Sequence, residues 1–121
     1  MNELAFFETE GGTVEVRVEQ ETVWLSQEQM ARIFERERSV ITKHLRNVFR
    51  DSELVEEAVC ANFAHTAADG KTYQTKFFNL DAILSVGYRV NSRRGVQFRQ
   101  WASRILKDHL TRGYTLDRQR L

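Results

Sequence analysis

The sequence has no proline, a single cysteine and only six glycines in 121 residues. Cys60 has no partner for an internal disulfide, and no cysteine or cysteine–histidine cluster suggests a structural metal, which fits a reducing, cytoplasmic setting. Nowhere do about eighteen apolar residues run together, so no membrane span is expected. The N-terminal MNELAFFETEGG turns acidic too early to serve as a basic export leader. No low-complexity tract or internal repeat divides the chain. With 41% apolar residues, a single domain with its own core is expected, because a chain of this size buries roughly two thirds of its unfolded surface.

Catalytic signatures are missing as well. There is no glycine-rich phosphate loop, no H-E-x-x-H and no G-x-S-x-G. His44, His65 and His109 fall on three different expected elements at spacings that indicate no metal. Asp69 and Asp81 would form an acid–base pair only if folding joined them, and nothing in the sequence does so. Cys60 precedes an apolar strand, where a buried thiol is the default. The expectation is a non-enzymatic protein without metal or cofactor.

What is present is a segregation of charge that the net value of +1 conceals. Residues 1–37 carry nine acids and three bases; residues 38–50 carry four bases and no acid. Four acids follow in 51–57, and residues 58–121 carry eleven bases against four acids. Positive charge concentrated on particular elements lets a polyanion bind without a basic whole. Simple solvation of those helix faces is the competing explanation.

Hydrophobic periodicity places the elements. From Thr13 to Leu25, Val14, Val16 and Val18 alternate with Glu15, Arg17 and Glu19, which predicts a strand and a hairpin turning near Gln20 and Glu21. Ser26 and Gln29 have capping-box spacing, Leu25 and Met30 are placed as a hydrophobic staple, and Met30, Ile33 and Phe34 give the ensuing helix its apolar face. A second helix, Arg38 to Arg50, carries Ile41, Leu45 and Val48 on one stripe. The acidic run from Asp51 to Glu57 reads as a connection or short helix. Asp69–Gly70, central to the segment from Ala61 to Phe78, signals a second hairpin. Asn79 can cap a helix through Leu80, Ile83 and Leu84 that stops at Gly87. Ser92 can cap a long helix over 93–112, with Phe98, Trp101, Ala102, Ile105, Leu106 and Leu110 as its apolar face and Gly113 as its C-terminal cap. The tail TLDRQRL reads as a frayed end or the start of a link.

The spacing from Ala31 to Ile41 to Leu45 matches a helix-turn-helix. Small Ala31 admits the second helix closely, and Ile41 and Leu45 pin it, leaving Arg38, Ser39, Thr42, Lys43, Arg46 and Arg50 exposed. In such motifs the second helix enters the major groove. Ser39, Thr42, Lys43 and Arg46 are then assigned to base edges or adjacent phosphates, and Arg38 and Arg50 to the backbone. The turn Glu35–Arg36–Glu37 departs from the usual pattern: Glu37 is a poor cap, and its carboxylates would repel phosphate unless paired with Arg36 and Arg38. An ordinary helical hairpin that only packs stays open as an alternative.

The second hairpin would act as a wing with Lys71 at its tip, or merely cover the core. On the long helix, Arg93, Gln97, Gln100 and Arg104 share a polar stripe with Arg94, Arg99 and Lys107 beside it, a face either for a nucleic-acid backbone or for water. Trp101 and Phe98 lie on the apolar side, where core packing is expected. Together these features describe an α+β, winged helix-turn-helix-like module with N-terminal strands, a β-hairpin wing and a long C-terminal helix.

The stretches VWLSQEQMARIF, CANFAHTAADGKTYQTKFFNLDAILSVGYRVNSRRGVQFRQWASRILKDHL and RGYTLDRQRL resemble the N-terminal region of the RhuM family of bacterial virulence-associated proteins. SRRGVQFRQWASRILKDHLTRGY is more loosely similar to the end of the Bro-N domain of phage and viral DNA-binding proteins. The resemblance implies DNA binding. It also implies that residues 1–121 form one module at the N-terminal part of a longer protein, since RhuM proteins are typically longer and related modules occur fused to other domains, Fic-type ones among them. The expected partner is double-stranded DNA, with a homodimer anticipated because helix-turn-helix proteins commonly bind half-sites in pairs. The competing reading is a protein-interaction module serving a fused or partner effector domain. DNA binding requires exposed cations and strong salt dependence, whereas docking requires an exposed apolar patch.

Overall fold

Val14, Val16 and Val18 are fully buried, and their alternation with polar residues fixes the strand at the centre of the molecule's N-terminal half. A computed structural model describes residues 3–66 and 68–112. In chain order the elements are β1 (Glu3–Thr9), β2 (Gly12–Glu19), β3 (Thr22–Ser26), α1 (Gln27–Phe34), α2 (Arg38–Arg50), α3 (Glu56–Val59), β4 (Cys60–Thr66), β5 (Thr72–Asn79), α4 (Leu80–Arg89) and α5 (Arg93–Arg112). The strands make one antiparallel sheet in the order β1-β2-β3-β5-β4. The molecule is therefore α+β, with α1, α2, α3 and β4 inserted between two neighbouring strands.

Local chemistry explains most boundaries. Glu19 pairs with Thr22, so β2 and β3 join through Gln20 and Glu21, both at positive φ as a twisted two-residue hairpin demands. Ser26 leaves the sheet as the α1 cap: its hydroxyl accepts the Gln29 amide at 3.2 Å, and the Gln29 side chain accepts the Ser26 amide at 2.8 Å. Leu25 and Met30, the staple pair, are both fully buried. Asn79 caps α4 by accepting the Ala82 amide at 3.2 Å, and Ser92 Oγ accepts the Arg94 amide at 3.1 Å where α5 begins.

One face of the sheet lies under the helices, where Leu25, Phe78, Ile33, Phe34, Ile83 and Phe98 meet. On the opposite face Trp24, Phe63 and Phe77 pack edge to face, and the Arg17 guanidinium lies 4.3 Å over the Phe63 ring. This second, smaller apolar layer holds β2 to the β4–β5 hairpin.

Two expectations are corrected. Gly87 does not stop α4; it is buried in the helix interior, and the stop comes at Val90 and Asn91, the latter with φ 52°. Its role is close approach: a methyl group there would lie 3.2 Å from the Phe34 ring and 3.5 Å from the Gly95 Cα of α5. Leu110 is not on the buried face but 61% exposed; at this turn of α5 it is His109 that reaches the sheet, 3.1 Å from Glu3 of β1. The expected cap at Gly113 and the tail TLDRQRL lie outside the described residues.

The second hairpin forms, but as part of the sheet. Phe77–Asn79 of β5 pair with Trp24–Ser26 of β3. The outer segment, residues 72–76, pairs only with β4 and extends beyond the sheet. Thr66 pairs with Thr72, so the connection is longer than two residues. Asp69 organises it, accepting the Lys71 amide at 2.9 Å and the Tyr73 hydroxyl at 2.7 Å, and Gly70 takes φ 82°.

Candidate nucleic-acid interface

The site is built on the joint between α1 and α2. α1 ends at Glu35 in the left-handed conformation, φ 57° and ψ 49°, the position where glycine is usual. The Glu35 and Arg36 amides both donate to the Ala31 carbonyl. Arg36 then fastens the turn: its guanidinium donates to the Phe34 and Glu35 carbonyls at 3.2 Å each and to the Val90 carbonyl at 3.0 Å. Glu37 starts α2 with extended geometry and no side-chain cap bond.

Ile41, Leu45 and Val48 are buried and set the rotation of α2. Arg38, Ser39, Lys43, Arg46 and Arg50 are consequently exposed. Arg38, Lys43 and Arg46 make no ion pair among the described residues, whereas Arg50 lies 3.4 Å from the Asp51 carboxylate on the surface. Thr42 differs from the others: it is half-buried, with its hydroxyl on the Gln27 side-chain oxygen and on the Arg38 carbonyl, so it links α2 to α1. Gln27 was not singled out in the sequence, although the cap at Ser26 places it at the first position of α1, where it is half-buried. Lys76, also missed, shares a cleft of about 420 Å³ with Arg38, Gln27 and Arg17 where β3 leaves the sheet. Its ammonium sits 3.0 Å from Glu56, which raises its pKa.

Lys71 is exposed at the hairpin turn. Arg93 and Arg94 stand elsewhere, where α5 begins against the joint. Arg93 is exposed and lines a depression of about 640 Å³ with Glu8, Glu35 and Arg36. The Arg94 side chain is 15% exposed, 3.3 Å from Glu35 and 3.5 Å from Glu10. The Glu35 carboxylate is thus answered by Arg94, fifty-nine positions away, rather than by Arg36 or Arg38.

Two titratable groups bear on the site. His44, half-buried on α2, has its pKa lowered by burial first and then by Lys43, Arg89 and Arg36. Its Nδ1 is buried without a hydrogen-bond partner among the described residues. The Cys60 thiol is pushed up to about 11 by burial and the nearby Glu56 carboxylate. Among the described residues no group of three or more His, Cys, Asp or Glu could hold a metal, and no helix is long and apolar enough to cross a membrane.

Fold and surface define a small α+β module in which a tightly jointed helix pair is set against an antiparallel sheet. The model of the virulence protein RhuM family matches residues 58–121, more than half of the chain, and the chain belongs to that family. The match starts at Ala58, so β4, β5, α4 and α5 lie within it and the α1–α2 joint lies before it. No curated protein and no solved structure matches the chain.

Proposed function

We propose that this protein is a DNA-binding module in which α1 and α2 act as a helix-turn-helix and the β4–β5 hairpin as its wing. The observation that carries the reading is the outward stripe of α2. Arg38, Lys43 and Arg46 are exposed without ion pairs among the described residues, on a helix that contains no acid and is held by a buried aliphatic stripe. Unneutralised cations held on a rigid element are suited to displace counterions from a phosphate backbone. Ser39 adds a hydrogen-bonding group at the N-terminal end, the end that approaches base edges in such motifs.

The hairpin supports the reading by extending past the sheet with Lys71 at its turn. The resemblance of Ser92–Tyr114 to the end of Bro-N domains adds to it. The Arg94–Glu35 pair answers one of the two turn carboxylates, while Glu37 stays exposed with no ion pair among the described residues and counts against the reading. In this reading Arg94 is a positioning residue, Lys43 and Arg46 meet base edges and the phosphates beside them, and further phosphate contacts fall to Arg38, Arg50, Arg93 and Lys71. The protein is read as a binding module and not as a catalyst.

Fluorescence anisotropy of the chain against random duplex DNA at several salt concentrations tests this. Affinity that falls linearly on logarithmic axes as salt rises supports it. Absence of salt-sensitive binding at protein concentrations about tenfold above typical non-specific dissociation constants overturns it.

A further inference from the structure

We infer that the corner between α4 and α5 is a self-association surface, and that its occupant is a second copy of this chain. Tyr88 is 87% exposed, the most exposed large apolar side chain among the described residues. It stands at the rim of a groove of about 390 Å³ whose floor is Gly87 and Gly95 and whose walls include Leu84 and Val96, the latter 49% exposed. A protruding ring beside a hollow floored by glycines is a knob and a hole on one surface. Two copies related by a two-fold axis satisfy both at once, because in such a contact each patch meets its own image.

Charge points to the same occupant. Arg99 is the one charged residue lining the groove. The complementary acid is on the same exposed face of α4, where Asp81 precedes Leu84 by one turn. Neither Asp81 nor Arg99 makes an ion pair among the described residues. In the two-fold arrangement Tyr88 of each copy covers the Gly87–Gly95 floor of the other, and Asp81 of each copy faces Arg99 of the other. The groove shares no residue with the α2 stripe, but Arg93, given a phosphate contact above, lies between Ser92 and Gly95 of its lining, so self-association is tested in the absence of DNA.

Sedimentation velocity of the whole chain without DNA tests the inference. The wild type is expected to dimerise in a concentration-dependent way. Tyr88→Ser, an exposed change that leaves the core untouched, weakens the dimer by about tenfold or more. Asp81→Arg and Arg99→Asp each weaken it by about tenfold, and the chain carrying both reversals regains it. A wild type that stays monomeric at the highest soluble concentration overturns the inference. So does a dimer that survives Tyr88→Ser and both single reversals, which would place the contact on another surface. Because no DNA is present, these results stand apart from the success or failure of the DNA-binding proposal.

Discussion

At the scale of single residues, the most informative position is Gly87. Sequence reasoning treats a glycine after an apolar helical run as a stop, yet here it lies inside α4 because Phe34 and Gly95 leave no room for a side chain. Gly87→Val is expected to destabilise the fold by about 2 kcal/mol through overpacking against the fully buried Phe34 ring, measured as a lower urea midpoint. His44 gives a pH prediction. Its folded-state pKa lies below the ordinary 6.5 because burial and neighbouring cations favour the neutral ring. The unfolded chain therefore takes up the proton first, so this contribution to stability is complete above about pH 6.5 and is lost as pH falls below it. Urea midpoints should fall on acidification from neutral pH to about pH 5, before most carboxylates titrate. His44→Gln should flatten that limb, and an unchanged limb would assign it to other groups.

At the scale of elements, the helices were legible because their signals are local. Capping-box spacing at Ser26 and the apolar period of α2 both lie within a few turns of the residues they order. Ser26→Ala should cost about 1 kcal/mol, since the Gln29 amide loses the hydroxyl that accepts it, while the residue-26 amide keeps the Gln29 side chain. Glu37→Ser should instead stabilise α2 by roughly 0.5–1 kcal/mol, because Glu37 supplies no cap bond. Thermal melts of the two variants check both signs. β1 was not legible as a strand by alternation: Leu4 and Phe6 on its outer side are as apolar as Ala5 and Phe7 on its inner side, which erases the period of two. The pairing of β5 with β3 was hidden for another reason. It joins segments separated by three helices and a strand, and no short-range pattern encodes such a contact. The candidate site divides likewise: the α2 stripe follows from helical spacing, while the Arg94–Glu35 pair and the Thr42–Gln27 link depend on folding.

At the scale of the whole molecule, a near-neutral chain carries separated charge. The acidic N-terminal third supplies the outer positions of the sheet and the turn carboxylates, and the cations gather on α2 and α5. The central claim is that α2 is the element that engages DNA, and the salt dependence of binding tests it most directly. The comparison is between the wild type, the Lys43→Ala, Arg46→Ala double variant and an α5 control, Arg104→Ala with Lys107→Ala. The account predicts that the α2 variant loses about tenfold or more in affinity and that its logarithmic salt slope becomes shallower by about 0.9 for each phosphate contact removed, while the α5 control changes much less. Wild-type affinity and slope in the α2 variant, or a loss confined to the α5 control, would contradict it.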